Sequence, residues 1–199
     1  MEIGMEQIKE LRDETGVAVM QCKKALEEAG GDMEKARMLL RKKSGEIAAK
    51  KGDRTLGAGV IASYIHGNAG VGALVELSCE TDFVAKNEEF KKLAYEIAMH
   101  ITAANPKYRV ETDISEADRE KAKLFFAEEV EKTMAGKPEE IKAKALEGKM
   151  NVYFAEQVLV AQPYVKNPDM TIGQLLEGAV QKFGEKTELT RFVRFAVGK

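Results

Sequence analysis

Two strand-like runs, Gly59 to His66 (GVIASYIH) and Gly72 to Cys79 (GALVELSC), flank the turn-forming tetrad Gly67-Asn68-Ala69-Gly70. This hairpin constrains the fold more than any other feature, because a two-stranded hairpin alone is marginal in water. It needs a third strand and a cover. The run that can join it lies near the far end of the sequence, in ELTRFVRFAVG, where Leu189, Arg191/Phe192, Val193, Arg194/Phe195 and Val197 alternate. Helical periodicity fills the interval between. The fold class is therefore α+β, with a small antiparallel sheet, packed helices and a strand that returns late.

Ahead of the hairpin, residues 1–43 read as a three-helix module. Met5, Ile8 and Leu11 recur at helical spacing before Thr15-Gly16. Met20, Ala25 and Leu26 follow, then the stop Ala29-Gly30-Gly31. Asp32 is a good N-cap for a third helix with Met33, Ala36, Leu39 and Leu40. From Arg41 to Arg54 the chain turns basic (RKKSGEIAAKKGDR), and residues 44–55 are expected to form a linker, with some helix, to a core over 56–199. Within the core, Asn87 caps a helix with Phe90, Leu93, Ala94, Ile97, Ala98 and Ile101 on one side, ended by Pro106. Ser115 to Asp118 resembles a capping box opening a helix to about Ala135. Pro138 suits the first turn of another, expected to end near Leu146. Residues 150–170 are mixed, with Gln162-Pro163 and Asn167-Pro168 as breakers, and Thr171 starts a last helix.

Several classes of chemistry lack their residues. His66 and His100 have no metal-ligand neighbours at helical or Cys-x-x-Cys spacing, so each reads as structural or surface. Cys22 and Cys79 stand far apart without a basic activator, as expected of inert thiols in a reducing cytoplasm. No phosphate-binding loop and no nucleophile elbow is present, and the glycines of GAGVIASYIHGNAGVG punctuate a hairpin. No cofactor and no enzymatic activity are expected. Apolar runs stop well short of the roughly 20 residues that a membrane span needs. Met1 to Glu10 is amphipathic and contains acids, unlike a signal or transit peptide. A net charge of −2 gives no global case for nucleic acid. Locally, Arg41–Arg54 could contact phosphates. That leaves open an RNA-binding α+β domain joined to a helical adaptor, although no aromatic interleaves the charges as a stacking platform.

The stretch CETDFVAKNEEF, Cys79 to Phe90, places Asp82 and Phe83 side by side in a short connection. A phenylalanine there either plugs back into the core or reaches outward. Together with IKELRDETGVAVMQCKKALEEAGGDMEKARMLLRKK, this stretch resembles the translation elongation factor Ts family. LEGKMNVYFAEQVLVAQPYVKNPDMTIGQLL and the closing FVRFAVG resemble it too, in the same order along nearly the whole chain. The resemblance implies a ubiquitin-associated-like first module and an exchange core. It implies guanine nucleotide exchange on elongation factor Tu, in its GDP-bound and nucleotide-free states, by disturbing the partner's magnesium site. It assigns Thr81, Asp82, Phe83 and Val84 to that contact, and Arg12, Val19 and Met20 to anchoring of the first module. Two departures stand out. The family's first turn often reads Thr-Gly-Ala-Gly-Met-Met, whereas this one is Thr15-Gly16-Val17-Ala18-Val19-Met20, with a smaller side chain at Val19. Longer members also continue past the point where this sequence stops at Lys199, so a short form and a homodimer are expected.

Overall fold

The computed structural model describes residues 3–198. They divide into two compact units, one formed by the chain up to Thr102 with that from Gly173 onward, the other by Ala103–Ile172.

The first unit begins with α1 (Met5–Thr15), α2 (Val19–Glu28) and α3 (Met33–Lys50). Their shared core holds Ile8, Leu11, Val17, Cys22, Ala25, Leu26, Ala36 and Leu40. Gly16 closes α1 in the left-handed region, at φ 67°, and its N–H donates to Arg12 O at 2.7 Å. Asp32 caps α3 by accepting from Lys35 N–H at 3.1 Å. The Arg37 guanidinium grips Glu14 through Nε at 2.8 Å and Nη2 at 2.9 Å, tying α3 to α1.

Residues 44–50 of the expected linker are helical, because α3 runs unbroken to Lys50. Tertiary packing explains the continuation. Ser44 is buried, and its hydroxyl donates to Leu40 O at 3.0 Å and to the Gln181 amide oxygen. Gln181 in turn bonds Gln21 of α2.

The sheet of this unit has the order β1–β2–β5, all antiparallel, from β1 (Ala58–Ile65), β2 (Val71–Cys79) and β5 (Thr187–Ala196). The late strand thus pairs with the hairpin as expected. Beyond the single helical turn α4 (Asp82–Ala85), α5 (Glu88–Ala104) buries Phe90, Leu93, Ala94, Ile97, Ala98 and Ile101, the side anticipated from their spacing. Along α8 (Ile172–Phe183) the buried residues include Leu176, Ala179 and Val180. Phe90 meets Phe183 edge-on at 5.5 Å, and Tyr64 meets Tyr95 at 5.6 Å, joining α5 to α8 and to the sheet.

The second unit holds α6 (Glu116–Thr133), capped by Ser115, and α7 (Glu139–Gln157). Tyr108, Ile114, Ala122, Phe154 and Val158 form its core. The second helix runs well past the expected end near Leu146, because Phe154 on its last turns is needed in that core. The mixed region then forms a small hairpin, β3 (Pro163–Tyr164) with β4 (Asn167–Thr171). Its prolines, Pro163 and Pro168, are the first residue of β3 and the second of β4, where a missing N–H costs little. Among the described residues no helix is long and apolar enough to cross a membrane.

Candidate functional site

Strand β2 ends at Cys79, and the chain must turn before α5 begins. It does so through α4, whose N-cap is Thr81 in extended conformation. Ala85 N–H donates to Thr81 O at 3.2 Å and Lys86 N–H to Asp82 O at 3.0 Å, which closes one helical turn. A helix turn carries successive residues to different sides. Val84 and Ala85 fall inward and are buried, while Phe83 points out and is 82% exposed. Asp82 is exposed as well. The core position that Phe83 could have taken is held by Val84, with Phe90 completely buried one helix further on.

The expected quartet is therefore split. Asp82 and Phe83 present themselves to solvent, with no described side-chain hydrogen bond to the clasp below. Val84 is the buried foot of the turn, and Thr81, although exposed, is hydrogen-bonded to Glu185. Asp82 pairs with Lys86 at 2.5 Å, and that hydrogen bond holds its carboxyl below the usual aspartate range. With one cation beside it, Asp82 remains charged and free to accept further hydrogen bonds.

Beneath α4 lies a polar clasp. Glu185, just after the left-handed Gly184 (φ 72°), accepts from Glu80 N–H at 3.1 Å, Thr81 N–H at 3.0 Å and the Thr81 hydroxyl at 2.5 Å. Glu80 answers from the other side. Its Oε1 accepts from Lys186 N–H at 2.6 Å, and Arg54 Nη1 lies 3.1 and 3.2 Å from its two oxygens. The Lys186 N–H foremost, with Arg54 behind it, keeps the Glu80 carboxyl below its ordinary range. The Cys79 thiol donates to Thr81 O at 3.2 Å. Burial pushes the pKa of both Cys79 and Cys22 up, so neither is a poised thiolate.

Sequence reasoning missed Glu185, Arg54 and Lys186 as parts of this site. Thr81 and Glu185 are 104 residues apart, and the one local sign is the Gly184 that turns the chain after α8. The clasp also engages part of the basic strip. Besides Arg54, Lys51 Nζ bonds Gly184 O, which weakens Arg41–Arg54 as a phosphate-binding surface.

The second group of anticipated residues brackets the α1–α2 bend. Inside it, Val17 is buried and the Thr15 hydroxyl donates to Leu11 O at 2.6 Å. Outside it, Arg12 is exposed, Val19 is 43% exposed and Met20 is 73% exposed. No described hydrogen bond or ion pair joins this group to Asp82 and Phe83. His100 is buried, and His66 lies beside the Tyr64 hydroxyl, 3.2 Å from its Nδ1. Among the described residues no cluster of three or more His, Cys, Asp or Glu side chains could hold a metal ion.

Comparison with known proteins bears on this geometry. Residues 5–199 match the family model described as Elongation factor TS. The chain is 45% identical over 197 residues to Elongation factor Ts of Thermosipho melanesiensis, covering 99% of this chain and 100% of that relative. Against Elongation factor Ts of Alkaliphilus metalliredigens it is 46% identical over 199 residues, covering all of this chain and 91% of the relative. Elongation factor Ts of Coprothermobacter proteolyticus is 43% identical over 199 residues, with both chains covered completely.

Proposed function

Because the chain belongs to the elongation factor Ts family, and so among the translation elongation factors, we propose that it is the guanine nucleotide exchange factor for elongation factor Tu. It acts in the cytoplasm on the GDP-bound and nucleotide-free partner, hydrolyses nothing itself and needs no cofactor. A GTPase holds GDP through backbone amides, a lysine on the phosphates and a bridging magnesium ion. An exchange factor must bind the empty conformation better than the loaded one, and the nucleotide then weakens the factor by the same ratio. A thousandfold effect corresponds to about 4 kcal/mol of coupling.

The observation that carries this reading is the outward Phe83, 82% exposed on a turn whose base is clasped in place. A rigid aromatic on such a turn can enter an apolar slot of the partner at low entropic cost. Asp82 beside it can accept hydrogen bonds or shift the ligands around the magnesium ion. Thr81 and Val84 act from beneath, one through the clasp and one as the buried foot. Arg12, Val19 and Met20 supply a second attachment from the first module. Stopped-flow release of labelled GDP from elongation factor Tu tests the whole. Release is expected to rise steeply with added protein, and no acceleration at micromolar concentration overturns the proposal.

Self-association has its own support. The strand register puts Ile61, Ile65, Leu74, Val193 and Phe195 on one sheet face, and each is at least 40% exposed. An apolar face of that kind fits a homodimer in which two such sheets cover one another.

A further inference from the structure

A threonine at an N-cap ordinarily accepts a hydrogen bond from its own helix. Thr81 stands at the N-cap of α4, but its side chain makes no such bond. Its hydroxyl donates instead to Glu185 Oε1 at 2.5 Å, while the Glu80 and Thr81 N–H groups converge on Oε2 at 3.1 and 3.0 Å. One carboxylate thus collects three donors from two consecutive residues, and bonds to a charged acceptor are about twice as strong as neutral ones.

The clasp is not needed to hold the strands, since β2 and β5 are already paired from Val71↔Ala196 to Cys79↔Thr187. What it adds is restraint on Glu80 and Thr81, the two residues directly before α4. That helix has four residues, too few to be stable on its own hydrogen bonds. Its pose depends on the buried Val84 and Ala85 below and on whatever fixes its first residue. We propose that Glu185 is a positioning residue for nucleotide exchange, holding α4 so that Asp82 and Phe83 meet the partner already oriented. The inference rests on the reading of Asp82 and Phe83 as the partner contact. If the turn were loose, each encounter would find the binding pose in a fraction of molecules, and the apparent affinity would fall by that fraction. The maximal rate at saturation would not.

The test uses the full chain as Glu185→Ala, Glu185→Gln and Phe83→Ala. GDP release from elongation factor Tu is measured against factor concentration, beside melting curves and the fluorine NMR signal of fluorophenylalanine at residue 83. In Glu185→Ala the half-saturating concentration is expected to rise about tenfold or more, as for loss of charged hydrogen bonds. Its plateau should hold, and the residue 83 resonance should move toward its solvent-averaged position. Glu185→Gln should restore most of the affinity, because its amide oxygen can accept both N–H groups and its NH₂ can donate to the Thr81 hydroxyl. An unchanged half-saturation in Glu185→Ala overturns the proposal, as does a loss that Glu185→Gln fails to restore and that follows the melting temperature. Phe83→Ala separates the two readings. Unaltered exchange in that variant overturns the contact reading and this proposal with it, whereas loss there with none in Glu185→Ala overturns the role of Glu185 alone.

Discussion

At the scale of single residues, exposure decides what a truncation at the α4 turn can do. Phe83 has little buried area to lose within its own fold. Phe83→Ala is therefore expected to leave the melting temperature nearly unchanged. If the ring fills a pocket on the partner, the same change costs about 2 kcal/mol or more of coupling, roughly thirtyfold in GDP release at limiting concentration. Asp82→Ala should follow the same pattern more mildly, since the Asp82–Lys86 pair is solvent-exposed and contributes little to stability. Val84 is the internal contrast. It is 5% exposed, and Val84→Ala removes two buried methyl groups, which should destabilise the fold by about 2 kcal/mol. Exchange should then drop only as folded protein is lost. Melting curves and GDP release on the same three variants check this division, and a large melting shift for Phe83→Ala would contradict it.

At the scale of elements, the continuation of α3 matters most for how the unit is braced. A helix with basic residues and few large apolar ones would not persist by its own periodicity. It persists because Ser44 and Gly45 lie against α8, where a Cβ built on Gly45 would come within 3.2 Å of Glu177 Oε2. Packing there desolvates Glu177 and pushes its carboxyl above the ordinary value of 4.5. The folded state then holds this proton to a higher pH than the unfolded chain does. Stability from this group is consequently present at acid pH and is lost as pH rises from 4.5 through the folded value. Glu177→Gln is expected to raise the melting temperature at neutral pH by about one or two degrees, the rest being screened by solvent. The gain should shrink below pH 4.5, and a gain independent of pH would argue against the assignment.

At the scale of the whole molecule, the two faces of the three-stranded sheet differ in cover. The inner face of the sheet is covered, with Val75, Leu77 and Leu189 buried. On the outer face, Ile65 is 67% exposed and Phe195 is 71% exposed, with the Glu76–Arg191 ion pair set among the apolar residues. Sedimentation is expected to report a dimer at tens of micromolar. The double change Ile65→Lys and Phe195→Lys should shift it to monomer without lowering the melting temperature, because both side chains already face solvent in the single chain. A wild-type chain that stays monomeric in that range contradicts the dimer.

Much of this protein was legible without coordinates, because the signals involved act over a few residues. The spacing from Phe90 to Ile101, the caps at Asp32, Asn87 and Ser115, and the turn between two β-rich runs each specify a local geometry. So did the need of a lone hairpin for a third strand, met by Thr187–Ala196. Tertiary structure alone decided what depends on distant neighbours. Nothing local says which way a phenylalanine in a short turn will face. It faces out where Val84 takes the inward position, on a turn whose preceding residue, Thr81, is hydrogen-bonded to Glu185, 104 residues away. Nor does a basic stretch announce that it will stay helical, which it does because Ser44 finds Gln181 at a separation of 137 residues. Propensity and capping are sums over adjacent residues, whereas burial and charged hydrogen bonds are settled by whatever the fold brings alongside.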